Sequence, residues 1–118
     1  MRSLKLETKK IDFDGRVWEL RCNMSVLDRL EQAHDGNFTA VMTLPPSKAT
    51  PEVLAAMLND YAEDMGWDIQ YTPKQISKMV SFADMKEIDV IGMLYRAVIP
   101  EDPQPAAAAP TEEGEPGN

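Results

Sequence analysis

The sequence predicts an α+β fold, with an N-terminal antiparallel β-hairpin packed on a bundle of about four α-helices and a disordered C-terminal tail. Three observations carry this expectation. Asp14-Gly15 separates two short segments in which apolar and polar residues alternate. Cap signals at Ser25, Thr50-Pro51, Thr72-Pro73 and Asp84 each open a stretch with apolar residues at helical spacing. Residues 101–118 combine acids, prolines and alanines with nothing to bury. The domain is expected over 1–100 and the tail over 101–118.

The hairpin comes first. Asp-Gly tolerates the positive φ angles of a type I′ turn, whose twist matches that of the flanking strands. With those two residues as the loop, Phe13 faces Arg16, Ile11 faces Trp18 and Lys9 faces Leu20. Ile11, Phe13, Trp18, Leu20 and Cys22 then share one side, the buried one. The other side sets Lys10 across from Glu19, a favourable cross-strand pair. A two-stranded ribbon is marginal alone in water, so the helices downstream must cover its apolar side.

Ser25 and Asp28 have capping-box-like spacing ahead of Val26, Leu27, Leu30 and Ala33, and Gly36 can supply a left-handed C-terminal cap. Phe38 to Leu44 is apolar and partly β-branched, so a third short strand and an extended loop both fit it. Thr50 and Pro51 predict the start of a second helix, as N-cap and first helical residue. Val53, Leu54, Met57, Leu58, Tyr61, Ala62 and Met65 form its apolar stripe, and Gly66 ends it. Asn59, Asp60, Glu63 and Asp64 fall outside the stripe. Thr72-Pro73 repeats the start for a short helix carrying Ile76, Met79 and Val80. Asp84 is placed to cap a last helix reaching about Ile99, where Pro100 stops it.

That last helix has two apolar stripes. Ile88, Ile91, Tyr95 and Val98 make one, and Val90, Met93, Leu94 and Ala97 make the other. A helix apolar on nearly all sides is either the central core element or offers one stripe to a partner. Under the second alternative the candidate partner-binding residues are Met57, Met65, Val90, Met93, Leu94 and Ala97. Val90→Asp or Leu94→Asp should then abolish binding in a folded protein, whereas unfolding would assign the stripe to the core.

Composition narrows the function classes. The net charge is −8, but 12 bases face 15 acids over residues 1–100, and the other five acids lie beyond. Without a Lys/Arg cluster such a chain is repelled by phosphate backbones, which argues against nucleic-acid binding. MRSLKLETKK lacks the apolar stretch of a signal peptide, and no segment approaches the roughly 20 apolar residues of a membrane span. A cytoplasmic location with no membrane contact is expected. The single cysteine, Cys22, falls on the buried side of the hairpin and reads as packing rather than a nucleophile. His34 is the only histidine, which removes two-His metal sites and His-based pairs. Asp60, Glu63, Asp64 and Asp68 lack the spacing of a calcium loop and read as a solvated helix face. Phosphate loops and serine elbows are missing too, so neither an enzyme nor a cofactor is expected. Eight methionines suit either a core or an adaptable binding surface.

The run Ile11-Asp12-Phe13-Asp14-Gly15-Arg16-Val17-Trp18-Glu19-Leu20, followed by Met24-Ser25-Val26-Leu27, Leu30-Glu31 and Gly36, resembles the tail assembly chaperones of long-tailed, siphovirus-like bacteriophages and prophages. The order of the later parts is similar as well: a Leu- and Met-rich helix, a Thr-Pro helix start, a closing apolar helix and an acidic, Pro-rich end. The resemblance implies a non-enzymatic factor of the bacterial cytoplasm that coats the tape measure protein and keeps it soluble. It also implies that the factor promotes tail tube assembly and is absent from the mature virion. This chain would be the short form. A frameshifted longer form would reach the major tail protein, and a homo-oligomer is compatible with the role. The alternative is an acidic bacterial secretion-type chaperone or a toxin-neutralising binding module, which the neighbouring genes would distinguish.

Overall fold

A computed structural model of the chain describes residues 6–99. The tail expected over 101–118 lies outside the described residues. Strands β1 (Thr8–Phe13) and β2 (Arg16–Arg21) pair antiparallel in the expected register, from Phe13 opposite Arg16 to Thr8 opposite Arg21. Asp14 at φ 53° and Gly15 at φ 78° make the type I′ turn. Trp18, Leu20 and Cys22 are buried, while Ile11 and Phe13 on the same side are half-buried. Lys10 and Glu19 face each other, but no ion pair joins them among the described residues.

Helix α1 (Met24–Ala33) is capped two residues earlier than expected: Asn23, not Ser25, accepts from the Val26 N–H. Asp35 at φ 54°, rather than Gly36, takes the left-handed position directly after the C-cap His34, and Gly36 at φ 87° follows it and donates to the Glu31 carbonyl. The following segment is neither a strand nor an extended loop but a 3-10 helix over Phe38–Thr43, capped by Asn37 and anchored by buried Val41. The Asn37 cap starts a tight turn that buries Val41 against the core, and the sheet stays two-stranded.

Helix α2 (Pro46–Met65) corrects the expected start at Thr50-Pro51. It begins a turn earlier, with Pro46 in the first helical positions and Pro51 inside. Pro45-Pro46 sets the extended-to-helical switch, and both the Lys48 and Ala49 N–H groups bond the Pro45 carbonyl. The N–H that Pro51 lacks would have served Ser47, an exposed residue whose carbonyl water can satisfy. Gly66 at φ 74° closes the helix as expected. Helix α2 is the hub: β2, α1, the 3-10 helix, α3 (Pro73–Met79) and α5 (Val90–Val98) all pack on it.

The Gly66 cap turns Trp67 back against Trp18, with ring centroids 5.0 Å apart and planes at 87°. Phe13, Tyr61 and Tyr71 complete the cluster around Trp18, whose indole N–H donates to the Phe13 carbonyl. The 67–71 connector is held by Asn59, which accepts from the Tyr71 N–H at 2.7 Å and donates to its carbonyl at 2.9 Å.

The expected long last helix is two helices. Helix α3 has the expected Thr72 start, with Gln75 completing a capping box. Helix α4 (Phe82–Ile88) starts from Ser81, and Asp84 is its capping-box partner rather than its cap. The chain then breaks at Asp89, which sits in the left-handed region at φ 60° and caps α5 by accepting from Gly92 N–H. The Lys9 ammonium donates to the Glu87 and Ile88 carbonyls, which ties the end of α4 to β1. The fold class is therefore α+β, with a two-stranded hairpin on five α-helices and one 3-10 helix among the described residues. No described helix is long and apolar enough to cross a membrane.

Candidate partner-binding site

The six candidate residues separate on folding. Met57, Val90 and Leu94 are fully buried, and Met93 nearly so. This corrects the expectation that the Val90–Met93–Leu94 stripe faces a partner: it is the stripe that packs inward on α2. The physical reason is amphipathicity within the apolar set. Of the two stripes, the other carries Tyr95, whose hydroxyl is better left in water, and Tyr95 is exposed. Met57 belongs to the core because α2 is covered on several sides. Ala97 is exposed, as is Met65 (49%), which stands at the end of α2.

Met93 and Ala97 nevertheless meet at one surface feature. A groove of about 440 Å³ lies between α5, the start of α1 and the segment entering β1. Its walls are Leu6, Met24, Leu27, Met93 and Ala97, with Cys22 and Asn23 at the end of the hairpin. Leu27, Met93 and Cys22 are the buried floor, and Met24 stands 77% exposed at its edge. Helix geometry produces this arrangement. Asn23 caps α1, so Met24 is the first helical residue and falls off the Val26–Leu27–Leu30 face that packs inward. One rim is charged: Arg96 donates from Nε and Nη2 to the two carboxylate oxygens of Glu7, at 2.8 and 2.9 Å. That contact holds the Glu7 carboxyl below its usual range.

At the same end of α1, an ionic knot ties the helix to α2. Asp60 is 3% exposed, which corrects its placement on a solvated face. It accepts from Ser25 Oγ and Asn23 Nδ2, with the Arg21 and Arg29 guanidiniums at 3.7 and 3.5 Å. Arg21 also pairs with Asp64, and Arg29 with Glu63. Burial pushes the Asp60 carboxyl up, but the Ser25 and Asn23 hydrogen bonds and then the two cations outweigh it and hold the group below the usual carboxylate range.

Reactive groups are engaged elsewhere. Burial pushes the Cys22 thiol up to about 11, so it stays protonated at neutral pH and acts as packing. His34 Nε2 contacts Glu52 and joins the end of α1 to α2. Among the described residues, no group of three or more His, Cys, Asp or Glu is arranged to hold a metal ion. What the arrangement can do chemically is receive apolar side chains beside a charged rim.

Met24, Leu27, Leu6 and Arg96 escaped sequence reasoning. For Met24 a signal existed: it is a large apolar residue lying off its own helix's inward face. Leu6 and Arg96 carried none, because their proximity depends on how α5 returns to the start of the hairpin. The class that fold and groove define is an α+β hairpin-and-helix domain with an apolar surface groove edged by Met24 and Ala97. Comparison with known protein families, with curated proteins and with solved structures finds no match for the chain.

Proposed function

We propose that this protein is a tail assembly chaperone of a long-tailed phage or prophage, which binds the tape measure protein in the bacterial cytoplasm and keeps it soluble while the tail tube assembles around it. It acts by binding, not catalysis, and leaves before the particle is finished. The observation that carries the reading is the groove edged by Met24 and Ala97. A tape measure protein is long and amphipathic, and its chaperone needs modest apolar contacts that adapt to many similar turns of helix. Methionine suits such contacts because its unbranched thioether repacks at little cost. The Glu7–Arg96 rim adds polar groups around an apolar floor, the usual anatomy of a protein-binding patch. The net charge of −8 favours solubility of a loaded complex.

Co-expression with a tape measure protein from the same phage or prophage is the direct test. The two should co-purify, and the tape measure protein should move from the insoluble to the soluble fraction. Met24→Asp and Ala97→Asp should each leave the circular dichroism spectrum and melting temperature unchanged while reducing co-purification. If the wild-type chain neither co-purifies with the tape measure protein nor changes its solubility, the proposal fails.

A further inference from the structure

A second surface, independent of the tail-assembly reading, lies along the outer edge of β1. The sheet has two strands, so β1 is an edge over its whole length. A two-residue turn makes Phe13 and Arg16 a hydrogen-bonded pair, and the alternation of an antiparallel ladder makes Ile11–Trp18 and Lys9–Leu20 bonded pairs too. The N–H and C=O groups of Lys10 and Asp12 therefore point away from β2. No described backbone or side-chain group bonds them, which leaves a row of pairing groups facing outward.

That edge borders a groove of about 470 Å³, formed by residues 9–14 and walled by Met79, Val80 and Ile88, with Asp84 and Glu87 on the rim. Two features make it different from an ordinary solvated edge. The wall is apolar, with Val80 and Ile88 half-buried and Met79 43% exposed. The charge around it is lopsided: Asp12, Asp14, Asp84 and Glu87 line it against Lys9 and Lys10, and the Lys9 ammonium is already held by the Glu87 and Ile88 carbonyls. On the opposite edge, by contrast, Arg21 is drawn into the Asp60 and Asp64 contacts.

We infer that the β1 edge takes an extended, basic segment of a partner protein as a third strand. Main-chain bonds to Lys10 and Asp12 would supply the affinity. Alternate side chains of the added strand would point to opposite faces of the sheet. One set meets Ile11, Met79, Val80 and Ile88 and must be apolar; the other lies on the face that carries Asp12, in a groove lined by four acids, and must be cationic. The ligand is thus a segment in which apolar and basic residues alternate.

The test uses the full-length chain, labelled with nitrogen-15, and a short capped peptide of alternating lysine and valine. At saturating peptide, hydrogen exchange at the Lys10 and Asp12 amides should slow by at least about tenfold, with no change at Val17 and Glu19. Asp12→Pro removes an outward N–H and leaves the bonded pairs with β2 intact, so it should weaken binding by at least about tenfold, whereas Val17→Pro should not. Should Asp12→Pro fail to fold, the exposed pair Asp12→Lys with Glu87→Lys serves instead: it should lose the lysine–valine peptide and gain a glutamate–valine one. Unprotected Lys10 and Asp12 amides overturn the inference. So does equal binding of a peptide with the same residues in two blocks, or of the glutamate–valine peptide to the unmodified chain. Protection of the same amides that grows with protein concentration, without peptide, assigns the edge to a second copy and also overturns it.

Discussion

Ser25 Oγ donates to Asp60 Oδ1 across 2.5 Å, joining the first turn of α1 to the C-terminal half of α2 through residues 35 apart in sequence. The carboxylate it meets also accepts from Asn23, the residue that caps α1. One buried charge therefore sets both where α1 starts and how it lies on α2.

Removing that charge should be costly. Asp60→Ala leaves Arg21 and Arg29 partly buried without their shared counter-ion, and should destabilise the fold by about 3 kcal/mol in urea denaturation. Because Asp64 and Glu63 still pair with the two arginines, the loss should stay at the lower end for a broken buried pair. The pH dependence has a definite sign. The folded carboxyl titrates below the unfolded one, which titrates at about 4. Its stabilisation is complete above the unfolded value and disappears as pH falls through the folded value. Asp60→Asn should therefore show a shallower fall in stability than wild type between about pH 5 and pH 2.

The two sides of α5 should respond oppositely to charge. Leu94→Asp and Val90→Asp place a carboxylate in the core and should abolish the cooperative thermal transition. Leu94→Ala should cost about 2–5 kcal/mol, read from the shift in the urea midpoint. Tyr95→Asp, on the exposed side, should leave that midpoint within about 0.5 kcal/mol of wild type. A folded Leu94→Asp protein with a wild-type midpoint would restore that stripe as a partner surface.

The break between α4 and α5 should depend on Asp89. Its φ of 60° is unfavourable for a residue with a β-carbon, and its carboxylate accepts from Gly92 N–H. Asp89→Ala keeps the strain and loses the cap, for a cost of about 1–2 kcal/mol. Asp89→Gly loses the cap but relieves the strain, and should be the less damaging of the two in thermal denaturation. A side chain at position 92 would collide with the cap, since a β-carbon there lies 2.4 Å from the Asp89 carboxylate. Gly92→Ala should therefore release Asp89 from α5, visible as faster exchange of the residue 92 amide.

The hairpin, its register and its buried side were determined by the sequence itself, because a two-residue Asp14-Gly15 turn leaves one pairing and side chains alternate strictly along a strand. The Thr72 start and the Gly66 end of helices were equally local. Each rests on a hydrogen bond between residues a few positions apart. Whether Asp60 is solvated or buried was not legible, since its partners Asn23 and Ser25 come from 37 and 35 residues away and only packing brings them together. The same holds for α5. Both of its stripes are apolar enough to be core, and periodicity does not rank them. Tertiary structure chose Val90, Met93 and Leu94 for the inside once the chain turned at Asp89, and so left the candidate binding surface to Met24, Leu6 and Ala97, residues whose meeting no local pattern encodes.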